Sequence, residues 1–148
     1  NKAYFSLENG AIAETFDTQA VGALETGIAK YWYPQYLATV VIAVDRDQTD
    51  AVVASWNDLL ANQQEVSFSY TPGNVQMLTA AMAYGLEGSH YSLTKTIELL
   101  ASLHDDSRLK INSFESPIMI CYDYQAAALI ENGRNIEIII PADGTFTY

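Results

Sequence analysis

Two short stretches carry the polar groups best placed for chemistry. Thr71-Pro72-Gly73-Asn74 breaks a strand-like run and feeds a helix-like one, and Asp123-Tyr124 holds the same place after a later strand-like run. A strand that ends in a Thr/Gly/Asn loop at a helix start leaves free backbone N–H groups beside small hydroxyl and amide side chains. That is a cradle for a polar or anionic group. The competing reading is an ordinary strand-turn-helix connection that Asn74 merely caps. Open α/β sheets bind ligands outside the C-terminal ends of their strands, so the two loops are expected to meet at one crevice.

Covalent chemistry has less support. The chain shows no Walker loop, dinucleotide glycine fingerprint, G-x-S-x-G elbow or paired-cysteine zinc pattern. With two histidines and one cysteine, no Ser-His-Asp or Cys-His arrangement can be assembled from a recognisable motif. Paired carboxylates stay open among the 18 acidic residues, because their separation is not a sequence property. His104 with Asp105 and Asp106 reads as a solvated helix exit rather than a metal site, and no metal or cofactor is expected. Cys121 lies inside an apolar run and reads as a small core residue.

Charge narrows the partners. A formal net charge of −11 with only 7 Lys and Arg argues against nucleic acid, because neutralising phosphates needs a basic face. No run approaches the length of a membrane span, and no signal peptide is visible. The chain begins at Asn1 rather than Met, so a mature or excised portion of a longer protein is expected.

The elements that must position the two loops follow from periodicity. Residues 38–44, nearly all apolar and β-branched, predict a central strand covered on both faces. Residues 45–50 predict a polar loop with solvated charges, and Ser55-Trp56-Asn57-Asp58 a capping box opening a short helix through Leu60. Val66, Phe68 and Tyr70 alternate with Ser67 and Ser69, the period of a strand with one buried face. Val75, Leu78, Met82 and Leu86 then mark one side of a helix over residues 75–86. Ser92 or Ser89 is expected to cap a further helix over residues 93–103, with Ile97, Leu100 and Leu103 inward; residues 109–112 predict a short strand. Residues 117–122, 125–132 and 136–140 predict a buried strand, a helix and a second buried strand, a right-handed βαβ unit with Gly133 just past the helix and Asp123-Tyr124 as the turn. Upstream, residues 3–7 and 11–16 predict a hairpin through Asn9-Gly10, and Thr18 a helix cap. Tyr31, Trp32, Tyr33 and Tyr36 form either a core patch or an exposed aromatic wall.

Four segments together resemble a known family. ATVVIAVDRD followed by SWNDLL, then VSFSYTPGN, then PIMICYDYQAAALIENGRNIEIIIPADGT, with GALETGIAKYWYP upstream, are similar to the second lobe and lead-in of bacterial ABC-transporter extracellular solute-binding proteins of the two-lobed type 2 class. The resemblance implies an α/β fold, a three-layer sheet with helices on both faces. It implies one domain over residues 1–148, with 1–30 a hairpin and lead-in from the other lobe and 31–148 the solute-binding lobe. It implies non-covalent capture of a small polar or charged solute, an ABC permease and the other lobe as partners, and an extracytoplasmic place, periplasmic or lipid-anchored at the cell surface. Tyr70, Thr71, Gly73 and Asn74 would then donate hydrogen bonds to the ligand, and Asp123 and Tyr124 would close the other side, with Asp123 alternatively selecting an ammonium group. Tyr122 and Tyr124 keep a ferric-binding variant in view, although a turn at Asp123 is expected to separate them. An extracytoplasmic sensor or interaction domain using the YWYPQY patch is the alternative of another class.

Overall fold

The computed structural model describes residues 38–69, 75–88 and 92–145, all within one compact unit, Ala38–Tyr148. The hairpin and Thr18 helix expected upstream, and the aromatic cluster with Trp32 and Tyr33, lie outside the described residues.

The described strands are β1 (Val40–Asp45), β2 (Val66–Phe68), β3 (Leu109–Ile111), β4 (Ile118–Tyr122) and β5 (Ile136–Ile139). They form one mixed sheet in the order β3-β2-β4-β1-β5. β2 runs parallel to both β3 and β4, whereas β1 is antiparallel to β4 and β5. Every residue of β1 and β4 is buried, as continuous apolar strands need when both faces are covered.

Among the described residues four helices cover the sheet: α1 (Asp58–Ala61), α2 (Val75–Glu87), α3 (Thr94–Asp105) and α4 (Asp123–Glu131). Strand alternation sends Val40, Ile42, Val44, Ile118 and Ile120 to one face, where Trp56, Leu59, Leu78, Met82, Leu99 and Leu103 of the first three helices and their lead-in pack on them. Val41, Ala43, Met119 and Cys121 point the other way, against Ala126 and Leu129 of α4. The fold is therefore α/β with helices on both faces, as the sequence predicts.

The reciprocal bonds expected of the capping box form, but the helix starts at Asp58 rather than at Ser55, with no side-chain cap bond from Asn57. The Ser55 hydroxyl accepts from the Asp58 N–H at 3.3 Å, and the Asp58 carboxylate accepts from the Ser55 and Ala54 N–H groups at 2.9 Å each. Those backbone bonds hold the Asp58 carboxyl below its ordinary value. Gly133 follows α4 with φ +88°, the left-handed conformation that makes glycine the natural residue there. Residues 141–145 then cross back over the helical layer. Ala142 N–H donates to Ala54 O at 2.7 Å, the Asp143 carboxylate accepts from the Trp56 N–H, and the Trp56 indole donates to Gly144 O at 2.8 Å. The Thr145 hydroxyl finally donates to Val40 O at 2.8 Å, at the start of β1. This close passage depends on Gly85 of α2, where an added Cβ would lie 2.3 Å from Gly144 O and 2.6 Å from the Trp56 ring.

Several expectations are corrected. β2 is an interior strand, so Ser67 and Ser69 are buried along with Val66 and Phe68, and the serine side is not solvent-facing. β5 is an edge strand, so it is buried only at Ile136 and leaves Ile138 and Glu137 exposed. Its partner β4 runs in the same direction, with antiparallel β1 between them. α3 turns a different side inward: Thr96, Leu99 and Leu103 are buried, whereas Ile97 is 60% exposed and Leu100 only partly packed. Ser92 does not cap α3 directly. Its hydroxyl donates to Glu87 at the end of α2, and that carboxylate accepts the Lys95 N–H of α3 at 2.8 Å. Asp123 and Tyr124 are the first turn of α4 rather than a separate turn before it.

The loop over residues 45–50 is solvated only in part: Asp47 and Asp50 are exposed as expected, whereas Asp45 and Arg46 are drawn into the fold. Asp45 is 3% exposed, and its carboxylate accepts from Arg134 at 2.6 Å, from the Gln48 amide at 2.8 Å and from the Asp47 N–H at 3.0 Å. Burial pushes the Asp45 carboxyl up, but these donors outweigh it and hold it below the ordinary range. Arg46 beside it donates to the Glu137 carboxylate at 2.7 Å and to Ala51 O at 2.8 Å.

Candidate functional site

Strand direction builds the site. Because β2 and β4 are parallel, with Phe68 opposite Ile120 and the Ser69 N–H donating to Ile120 O at 3.2 Å, the C-terminal ends of both strands emerge at one edge of the sheet. The antiparallel β1 brings its beginning to the same edge, with Val40 opposite Tyr122 and Thr39 O accepting the Asp123 N–H at 2.9 Å. α2 starts six residues after Ser69, and α4 starts directly after Tyr122. The edge is therefore a rim made of Thr39, Ser69, Tyr122, Asp123 and Tyr124.

Of the residues the sequence singles out, Asp123 and Tyr124 stand on this rim. Tyr70, Thr71, Gly73 and Asn74 lie outside the described residues, as do the cap expected from Asn74 and the second histidine, His90. The segment that holds the first four is bracketed by Ser69, whose place on the rim is described, and by the start of α2.

The α4 end of the rim is largely satisfied from within. The Asp123 N–H is taken by Thr39 O, the Tyr124 N–H donates to Asp123 Oδ1 at 2.8 Å, and the Tyr122 N–H donates to Gln125 Oε1 at 3.0 Å. One turn further in, the Ala126 N–H bonds the Cys121 sulfur, while burial pushes that thiol up to about 12 and keeps it protonated and inert. Tyr122 is buried and Tyr124 is 47% exposed. Their rings stack with centroids 5.5 Å apart and planes 13° from parallel, so the expectation that a bend at Asp123 separates them is corrected: starting a helix there brings them together.

Other candidates fall away from the rim. His104 and Asp105 are exposed at the end of α3, and among the described residues no group of three or more His, Cys, Asp and Glu is placed to hold a metal. An open groove of about 510 Å³ lies along edge strand β3, between Glu65, Lys110, Ile111, Ser113 and Ser116. It adjoins the beginnings of β2 and β4 rather than their ends, so it is separate from the rim. Sequence reasoning did not single out Thr39 or Ser69; the rule that an antiparallel strand contributes its beginning to such an edge would have found Thr39 only with the strand order in hand.

Comparison with known proteins decides the family. The profile of the bacterial extracellular solute-binding protein family matches residues 8–148. The chain belongs to that family. No curated protein matches its sequence. Among solved structures, this solute-binding family member resembles an ABC-transporter protein from Listeria monocytogenes with TM-score 0.73 at 13% identity, over 97% of this chain and 48% of that one. It resembles the spermidine/putrescine ABC transporter substrate-binding protein PotD from Streptococcus pneumoniae with TM-score 0.59 at 15% identity, over 78% of this chain and 39% of the other. It also resembles the sulfate-binding protein SubI from Mycobacterium tuberculosis, TM-score 0.60 at 17% identity, over 76% of this chain and 43% of that one. The chain thus spans half or less of the length of these structures, and identities this low establish a shared fold alone. Among the described residues no helix is long and apolar enough to cross a membrane.

Proposed function

We propose that this chain supplies one lobe of an extracytoplasmic solute-binding protein serving an ABC-type importer. It captures a small polar or charged solute at the rim without transforming it. The observation that supports this reading is the parallel pairing of β2 with β4, which brings Ser69, the last described residue before the 70–74 segment, to the same edge as the start of α4. Tyr70, Thr71, Gly73 and Asn74 donate to the solute, Asp123 and Tyr124 close the opposite side, and a second lobe completes the enclosure by hinge closure. Residues 1–30 lead in from that other lobe, and residues 31–148 form the solute-binding lobe. The permease docks the closed protein, which resides in the periplasm or is lipid-anchored at the cell surface.

The test pairs capture with stability. Native mass spectrometry of the full-length protein identifies the small molecule it retains, and the double variant Asn74→Ala, Asp123→Ala is then measured for that molecule. The expected result is loss of capture with a melting temperature little changed. Retention of the same molecule at unchanged affinity overturns the assignment of the rim.

A further inference from the structure

We propose that the groove along β3 docks an extended, basic peptide segment of a partner protein, which joins the sheet as a further strand. The site is separate from the rim, because the groove adjoins the beginnings of β2 and β4. β3 ends the strand order and pairs with β2 alone. In a parallel ladder alternate residues bond the same neighbour. Arg108 O accepts from the Val66 N–H at 2.9 Å and the Asn112 N–H donates to Phe68 O at 3.1 Å, so Lys110 between them also faces β2. Leu109 and Ile111 therefore turn their N–H and C=O groups to the open edge, and among the described residues no backbone bond reaches them there. Donors and acceptors spaced in this way match another extended backbone.

The groove adds chemistry that a bare edge lacks. Ser116 lines it while only 3% exposed, and among the described residues no hydrogen bond reaches its hydroxyl. A buried hydroxyl left without a partner destabilises the fold, and a guest that bonds it removes that penalty. Charge then selects the guest. Edge strands are commonly protected by lysine, but Lys110 is paired with Glu65 at 3.3 Å. Glu115 is the remaining charge of the groove, with no ion pair among the described residues, and its N–H donates to the Ser113 hydroxyl at 3.1 Å to fix the turn that carries it. A lysine or arginine side chain on the incoming strand answers that carboxylate. Ile111, 53% exposed and on the alternate face of β3 from Lys110, gives the next side chain of the guest an apolar contact. A second copy of this chain is disfavoured, because its net charge of −11 repels its own kind.

The test is amide NMR on the isotopically labelled 148-residue chain, titrated with a short capped peptide of alternating lysine and valine, with its glutamate counterpart, and with the lysine peptide N-methylated at alternate residues. N-methylation removes backbone donors and keeps the charge. The lysine peptide is expected to shift the amides of Leu109, Ile111 and Ser116 and to slow hydrogen exchange at Leu109 and Ile111, with the other two peptides binding about tenfold more weakly. Ser116→Ala is expected to weaken the lysine peptide about fivefold, and Glu115→Gln about threefold, an effect that added salt diminishes. Equal binding of the N-methylated peptide overturns strand addition, and equal binding of the glutamate peptide overturns the basic guest. Unchanged affinity in both Ser116→Ala and Glu115→Gln, no shift at β3 with any peptide, or shifts confined to Asp123 and Tyr124 also overturn the proposal. Dimerisation of the chain alone through the same β3 amides overturns the peptide occupant in favour of a second copy.

Discussion

Two aspartates stand at opposite ends of the sheet, and the chain treats them differently. Asp45 closes β1 at the end away from the rim, almost fully buried, with Arg134, Gln48 and a backbone N–H consuming its charge. Asp123 follows β4 at the rim, partly exposed, with one bond from its neighbour's N–H and no cation among its described partners. The far end spends its charges on holding strands together, whereas the rim is held by main-chain bonds and by the seam of Trp56, Gly85 and Gly144 that seats residues 141–145. Among the described residues, one charge is consumed inside the fold and the other is not.

If that division is right, the largest effect comes from breaking the buried pair. Asp45→Ala is expected to cost about 3 kcal/mol in urea unfolding, the lower end for a broken buried ion pair because Arg134 retains some access to water. Gly85→Ala should come next, at about 2 kcal/mol, because its new Cβ meets a backbone oxygen and an indole that is fully buried. Gly133→Ala, at a positive φ beyond α4, should cost about 1 kcal/mol. Asp123→Asn is expected to change stability by less than about 0.5 kcal/mol, the usual range for a surface position. A cost at Asp123 equal to that at Asp45 would erase the contrast.

Acid sharpens the same comparison. The Asp45 carboxyl is held below its ordinary value of 3.8 in the folded protein, so the unfolded chain binds that proton more readily. Its contribution is complete above that value and is lost as pH falls through the lower folded one. Asp45→Asn should therefore flatten the fall in stability below about pH 4. Part of the slope should survive, since Asp58 and Glu87 are lowered too.

The layers of the fold were legible in the sequence, because continuous β-branched runs such as residues 38–44 and helical spacing such as Leu78 and Met82 follow directly from burial. Strand order was not. That β1 lies antiparallel between β4 and β5 depends on contacts far apart in the chain, and so does the burial of Ser67 and Ser69 on an interior strand. The role of Asp45 was hidden for the same reason: its partner Arg134 is 89 residues away. At the rim, the strand-end rule located Asp123 and Tyr124, but taking them as a turn missed that the helix begins at Asp123 and stacks the two tyrosines.

The central claim is that the 70–74 loop and the start of α4 face one guest. A double-variant cycle on the affinity of the retained solute, using Asn74→Ala and Asp123→Ala singly and together in the full-length protein, tests it most directly. Each single variant should weaken binding, with the pair departing from additivity while unfolding stability stays within about 0.5 kcal/mol of the wild type. Affinity unmoved in all three variants would contradict it.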